Sequence, residues 1–293
     1  MSKIVPYIWF DDQSEEATEF YVSIFKNSKI TDKTFYAEGL PKPKDSLLSV
    51  SFELCGQEFV ALNGGPYYTI TPAISFFVNC ETLDEVESIW QQLSKDGIVL
   101  MELGKYPFSD KFGWLKDKYG VTWQINLSNQ EQSIYPALMF FGDNYRKANE
   151  AIKFYTSIFE NSKIDSIELY NDDKLGTKGS VKSAVFTLRS QNFMVMDSNI
   201  NHEFTFTPAI SFFVDCETQE QIDNFWETLT NEGKEGQCGW LEDKYGVSWQ
   251  IVPSVLGELL NGEDEKRSQQ AVDAMLKMKK LDIDTLKRAY EQN

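Results

Sequence analysis

The fourteen residues FGWLKDKYGVTWQI, Phe112 to Ile125, recur as CGWLEDKYGVSWQI at Cys238 to Ile251, agreeing at eleven positions across an offset of 126. Near-identity of that length within one chain means one structural unit made twice. Trp114 and Leu115 end one strand, Asp117 to Gly120 form a turn, and Val121, Trp123 and Ile125 alternate with Thr122 and Gln124 along the next strand. Gln124 and Gln250 therefore face away from Trp123 and Trp249, which are read as core.

The duplication runs through most of the chain. EATEFYVSIFKNSKI from Glu16 returns as EAIKFYTSIFENSKI from Glu150, and TPAISFFVNCET from Thr71 as TPAISFFVDCET from Thr207. The offset moves from 134 to 136 and then drops to 126, because the first half carries IVLMELGKYPFSDK where the second has only KEGQ. That insertion alters a rim and not a core, and it is where the halves are expected to differ in function.

Each half reads as the same order of elements twice. Ile4 to Phe10 is a strand, Asp12 and Glu15 form a capping box, and Ala17, Phe20, Tyr21, Ile24 and Phe25 give one apolar helix face. Lys29 to Tyr36 resumes as a strand, and LLSVSFELCGQEFVALNGG supplies two more that turn at Cys55 and Gly56. The order restarts with a strand over Ala73 to Cys80, and a capping box of Thr82 and Glu85 precedes Val86, Ile89, Trp90 and Leu93. Gly97 stops that helix, and further strands follow at Ile98 to Leu103 and around Asp117. The division is residues 1–130, residues 131–262, and a helical tail over 263–293 that packs back on the repeats, with Asp264 as a helix cap.

A length of 293 residues lets each half bury a core without staples. The formal net charge of -17, with no basic run, argues against nucleic acid and against an anionic membrane surface. No run of eighteen apolar residues occurs, and MSKIVPYIWFDD has neither a long apolar core nor a small-residue cleavage site, so a cytoplasmic location is expected. Cys55, Cys80, Cys216 and Cys238 lack CxxC spacing and read as small apolar side chains. His202, the sole histidine, reads as a solvent-facing residue of the loop NINHEF. Glu102 and the pair Asp11 and Asp12 read as solvated surface.

The segments VPYIWFDDQSEEATEFYVSIFKNSKI, FVALNGGP, TPAISFFVNCET and GWLKDKYGVTWQI, with their partners, resemble the PhnB-like branch of the vicinal oxygen chelate superfamily. That superfamily includes glyoxalase I, bleomycin-resistance proteins and extradiol dioxygenases. The resemblance implies a glyoxalase-like α+β fold in which paired β-α-β-β-β modules form curled mixed sheets enclosing a cup, with the whole domain duplicated in tandem. The cups of such proteins are completed within a domain, between tandem domains or across a homodimer, so a homodimer is one expected assembly.

Many relatives hold a divalent metal in the cup with four side chains. Carried across by strand order, those places fall near Tyr7, Ala61, Ala73 and Gln124 in the first half, and near Leu138, Val195, Ala209 and Gln250 in the second. None is His, Asp or Glu, so neither a metal nor any other cofactor is expected.

Such domains also carry a 3-demethylubiquinone-9 3-methyltransferase label. The glycine-rich NGGP at Asn63 precedes extended chain and not the helix that S-adenosylmethionine binding requires, so methyl transfer is not supported.

What remains is an aromatic-lined pocket with polar anchors, whose candidates are Tyr7, Trp9, Phe52, Asn63, Trp114, Gln124, Trp240 and Gln250. Strand alternation cannot turn all of them inward. Gln124 and Gln250 are the best anchors, each also able to bond a neighbouring strand instead. The function read from this is metal-independent binding of a small apolar or aromatic molecule. The alternatives are a metal-independent isomerase or lyase acting on a carbonyl compound, which needs a buried carboxylate or tyrosine with a displaced pKa, or a half that only scaffolds the other.

Overall fold

A computed structural model describes residues 4–37, 39–40, 42–128, 130–174 and 176–292. The first module is β1 (Ile4–Phe10), α1 (Ser14–Ile24), β2 (Lys29–Phe35), β3 (Leu47–Leu54) and β4 (Gln57–Asn63). The second is β5 (Ile74–Cys80), α2 (Leu83–Leu93), β6 (Ile98–Tyr106), β7 (Ser109–Lys116) and β8 (Thr122–Leu127). The third is β9 (Ser133–Phe140), α3 (Ala148–Ile158), β10 (Lys163–Leu169), β11 (Val181–Leu188) and β12 (Gln191–Asp197). The fourth is β13 (Ile210–Cys216), α4 (Gln219–Thr230), β14 (Lys234–Glu235), β15 (Trp240–Glu242) and β16 (Ser248–Pro253).

The modules pair across the halves. One eight-stranded sheet runs β14-β15-β16-β13-β1-β4-β3-β2 and joins the first module to the fourth; the other runs β10-β11-β12-β9-β5-β8-β7-β6 and joins the third to the second. The seams are the antiparallel pairs β1 with β13 and β9 with β5.

The expected curling of the sheets into cups is not what forms. Each sheet is open, ending in β14 and β2 or in β10 and β6, and those edge strands do not pair with each other. Closure needs the terminal strands to hydrogen-bond in a staggered register. With only two residues, β14 offers almost nothing to close on.

The main core includes Ile4, Ile8 and Phe52 of the first sheet and Phe76, Trp123 and Leu138 of the second, so one apolar mass serves both sheets. Trp123 and Trp249 are fully enclosed in it.

The repeated turn ties the sheets together. Asp117 Oδ2 accepts from Tyr21 Oη of α1 at 2.8 Å and from Trp123 Nε1 at 2.8 Å, and its Oδ1 accepts the Tyr119 and Val121 amides. Asp243 repeats this with Tyr155 Oη of α3 at 2.7 Å, Trp249 Nε1 at 2.9 Å and the Tyr245 and Val247 amides. Helix α1 lies on β3 and β4, and α3 on β11 and β12. Each aspartate therefore fastens the helix of one sheet to the hairpin turn of the other.

Several local expectations need correction. The Asp12–Glu15 box does not form: Gln13 is the N-cap without a side-chain bond, and Asn63 Oδ1 takes the Ser14 amide at 2.9 Å. His202 is half-buried, stacked on Phe204 and edge-on to Phe141, with burial lowering its pKa. The Thr82 cap does form, its hydroxyl accepting the Glu85 amide while Glu85 Oε2 takes the Glu81 amide.

The tail holds α5 (Leu256–Leu260), α6 (Glu265–Met275) and α7 (Ile283–Glu291). They bury Leu259, Ala271, Met275, Leu281 and Leu286 against Val252 and Phe213 of the first sheet. The Cys238 and Gly239 amides bond to Met278 and Lys279 carbonyls, so the tail supports the strand ends that the second half's short KEGQ segment leaves bare.

Candidate functional site

Cross-strand register decides which candidates share a face. On the first sheet Tyr7 stands opposite both Val60 and Ser211, Phe213 opposite Gln250, and Gln250 opposite Trp240. Trp9 follows Tyr7 by two positions and lies on the same side. Tyr7, Trp9, Trp240 and Gln250 are thus gathered from the two ends of the chain onto the face away from α1 to α4, part of which the tail covers at Phe213.

The Tyr7 and Phe213 rings stack at 5.2 Å and 16°. A cavity of about 400 Å³ lies here, walled by Val5, Tyr7, Val60 and Phe213, with Glu53 and Glu58 on its polar side. Burial, and secondarily the Asp215 carboxylate, holds the Tyr7 hydroxyl well above a phenol's ordinary pKa. At neutral pH it is a proton donor, not a base.

Trp9 meets Tyr68 edge-on at 4.9 Å and Trp240 at 6.0 Å. Its Nε1 donates to the Gly65 carbonyl at 2.7 Å, and its ring covers Gly64 so closely that a Cβ there would sit 2.1 Å from it. Gly64→Ala is therefore expected to push Trp9 off its carbonyl partner, destabilise the fold by about 1–3 kcal/mol and shift tryptophan fluorescence to the red; unchanged emission and melting temperature would refute the contact.

Both glutamines are nearly enclosed, Gln124 at 5% and Gln250 at 6% exposure. Each donates from Nε2 to a serine hydroxyl on the next strand, Gln124 to Ser75 at 2.7 Å and Gln250 to Ser211 at 3.0 Å. The neighbouring-strand bond weighed from the sequence is what Nε2 makes.

The other candidates lie elsewhere. Phe52 stacks on Phe59 at 5.4 Å inside the core beneath α1, and both residues border the cavity. Asn63 is structural: besides holding the start of α1, its Nδ2 donates to the Leu47 carbonyl. Asp197 does the same work in the third module, accepting the Ala148 and Val181 amides. The Gly64 and Gly65 amides are spent on the Phe10 and Asp11 carbonyls.

Trp114 and Gln124 belong to the matching face of the second sheet. Gln124 stands opposite Phe77 and Trp114, and Phe77 stacks on Tyr135 at 5.7 Å.

The four inner strands put Tyr7, Val60, Ser211 and Gln250 side by side on this face of the first sheet, and Ala137, Met194, Ser75 and Gln124 on that of the second. Ala61, Leu138 and Val195 point into the core, and Ala73 and Ala209 precede their strands. A one-residue shift flips a strand's face, and these strands are apolar on both sides, so alternation could not fix the choice. Neither set contains an imidazole or carboxylate, and among the described residues no group of three His, Cys, Asp or Glu could hold a metal. The donor chemistry does not fit a divalent ion.

Phe213, Ser211 and Ser75 were missed. The repeated AISFFV run carried the signal, since a serine two residues before a phenylalanine puts both on one side of a strand.

Comparison with known proteins agrees with this architecture. The PhnB protein of Bacillus cereus is 43% identical over 43% of this chain and 100% of its own, with a TM-score of 0.41. A Pseudomonas aeruginosa protein is 25% identical over 44% of this chain and 98% of its own, with a TM-score of 0.38. Glyoxalase I of Zea mays covers 84% of this chain and 91% of its own at a TM-score of 0.53; at 13% identity that likeness concerns the fold alone. No curated protein matches the chain. The family model for 3-demethylubiquinone-9 3-methyltransferase matches residues 2–126 and again residues 132–252. The chain therefore belongs to that family, as a tandem protein with the vicinal oxygen chelate superfamily fold.

Proposed function

We propose that this protein binds a small, largely apolar or aromatic molecule in the cavity beside Tyr7, on the part of the first sheet's face that the tail leaves uncovered, without a metal. The observation that carries the reading is the cavity of about 400 Å³ beside the stacked Tyr7 and Phe213 rings, on a face shared with Gln250, Trp240 and Trp9. Flat rings supply stacking area, while Tyr7, which lines the cavity, offers a donor to fix orientation. The methyltransferase description finds no support in the residues of this face, which include no glycine-rich loop opening a helix.

Catalysis on a carbonyl compound would draw on the same Tyr7, whose buried hydroxyl could polarise a carbonyl by donating to it. A proton abstraction also needs a base; Tyr7, held protonated, cannot be that base, and the role would fall to Glu53, which pairs with Lys29 at 3.3 Å, or to Glu58 on the cavity's polar side. The binding reading is preferred because it needs only the stacked rings and makes no demand on those carboxylates.

The test is a thermal-shift screen of aromatic metabolites against the purified protein, with mass spectrometry of whatever co-purifies. A true ligand should raise the melting temperature, and Tyr7→Ala and Phe213→Ala should each weaken it about tenfold or more while leaving the fold intact. Since the Tyr7 pKa is raised, its contribution should not change between pH 6 and 9. A ligand whose affinity ignores both substitutions, or falls with Tyr7 ionising in that range, would overturn the assignment.

A further inference from the structure

The two sheets are built alike, so each is a control for the other. Trp114, Gln124, Ser75 and Phe77 occupy on the second sheet the places that Trp240, Gln250, Ser211 and Phe213 occupy on the first. What lies over them differs: on the first sheet the tail packs on Phe213 and Val252 and leaves the cavity beside Tyr7, whereas the second sheet has no tail and a longer edge hairpin. On the second sheet β6 is nine residues long and forms with β7 a hairpin, where the first sheet has only the two-residue β14 and three-residue β15.

That hairpin folds its apolar side chains onto the face. Phe112 is buried with Phe77 and Ala137, and Met101, Tyr106, Trp114, Tyr135 and Met194 pack around them as a cluster separate from the main core. Tyr106 meets Phe112 edge-on at 5.7 Å, Phe108 meets it at 5.1 Å, and Phe112 reaches Phe77 at 6.4 Å. Phe112 thus takes up, beside Phe77, space that an aromatic ligand would use.

The hold is imperfect in three ways. The β6–β7 ladder shifts register at three places. Ile98, Val99, Leu100 and Phe108 remain exposed, so the hairpin leaves much of its own apolar surface in water. The Trp114 indole N–H is buried with no hydrogen-bond partner among the described residues. A buried donor left unpaired costs roughly 1–3 kcal/mol, which an incoming acceptor would recover.

We propose that the β6–β7 hairpin is a built-in occupant of a second binding site, on the face of the second sheet formed by Trp114, Gln124, Phe77 and Tyr135. The site takes a planar aromatic molecule that presents a hydrogen-bond acceptor to Trp114 Nε1, and the chain as it stands offers the cavity beside Tyr7 on the first sheet and a self-filled site on the second. The ligand class rests on the reading of the first sheet given above; the plug itself rests only on the comparison of the two faces.

The test uses the full chain and the neutral planar dye Nile red, which carries a ring carbonyl. The intact protein should bind one dye per chain, and a variant with residues 98–111 replaced by Lys-Glu-Gly-Gln, the segment of the second half, should bind two. Adding Tyr7→Ala to that variant should leave the dye on the second sheet alone, quenching Trp114. If the shortened chain is folded by circular dichroism and still binds one dye, the inference is overturned.

If the intact chain binds none and the shortened chain binds one, the reading of the first sheet fails while the plug stands. Should the shortened chain not fold, Tyr106→Ala with Phe108→Ala in the intact hairpin should speed amide exchange across β6 at least tenfold and admit a second, weaker dye. Unchanged exchange and stoichiometry in that variant would equally overturn the plug.

Discussion

Asp243→Ala is expected to lower stability by about 3–5 kcal/mol, the loss typical of removing one member of a buried charged hydrogen-bond cluster. In a chain of this size that corresponds to a melting temperature lower by roughly 10 °C. The four groups that bond Asp243 are all donors, and truncation leaves them facing a void inside the core. Tyr155→Phe removes only one of the four and should cost about 1 kcal/mol.

Asp243→Asn separates charge from shape. Its amide oxygen can keep the Tyr245 and Val247 amides, but its NH2 would oppose Trp249 Nε1, which can only donate. Burial outweighs the four donors and pushes the Asp243 carboxyl up to about 6. Because the folded pKa lies above the unfolded value, the contribution of this group is full below about pH 4 and declines as the pH rises through 6. The stability advantage of wild type over Asp243→Asn should therefore narrow between pH 4 and pH 7 in urea titrations. An alanine variant that melts within 2 °C or so of wild type would show that the aspartate does not hold the sheets together.

The repeat made the modules legible, because a β-α-β-β-β order shows itself through strand alternation, helical spacing and the Thr82 cap. It could not show which modules pair. The β5 and β13 sequences, ISFFVNC and ISFFVDC, differ at one position, so β1 had two nearly equivalent partners and only the three-dimensional path of the chain selects β13.

That Tyr7 and Trp9 share one side of their strand was legible from alternation; that Trp240 and Gln250 join them needed the register across β13 and β16. Phe52 was not distinguishable, since a phenylalanine suits the core side and the open side equally. Asp117 and Asp243 looked like turn residues, as aspartate usually is. The clue was their spacing: an aspartate six residues before a tryptophan, in both halves, places a carboxylate where the indole N–H ends.

Separating the halves should have the second large effect. Residues 4–128 alone contain β1 to β8 but neither complete sheet, because β1 loses β13 and β5 loses β9. Two bare inner strands cannot stay unpaired in water with their apolar core faces exposed. The near-identity of β5 to β13 provides an outlet: β1 of one copy can pair with β5 of another, and the reciprocal pair forms by two-fold symmetry.

The fragment is therefore expected to run at twice its monomer mass in light scattering and to unfold on dilution, its melting temperature rising with concentration. Tyr7 would then face Ser75 and Phe77 in place of Ser211 and Phe213, so the dimer would carry two mixed faces, each crossed by a β6–β7 hairpin and lacking the tail. Adding residues 131–292 should convert that dimer into a one-to-one complex, because only the second half brings Phe213, the short β14 and the tail that packs on it. A fragment that stays monomeric and melts cooperatively at a concentration-independent temperature would mean that each half folds on its own, and that the exchange of modules contributes little to holding this chain together.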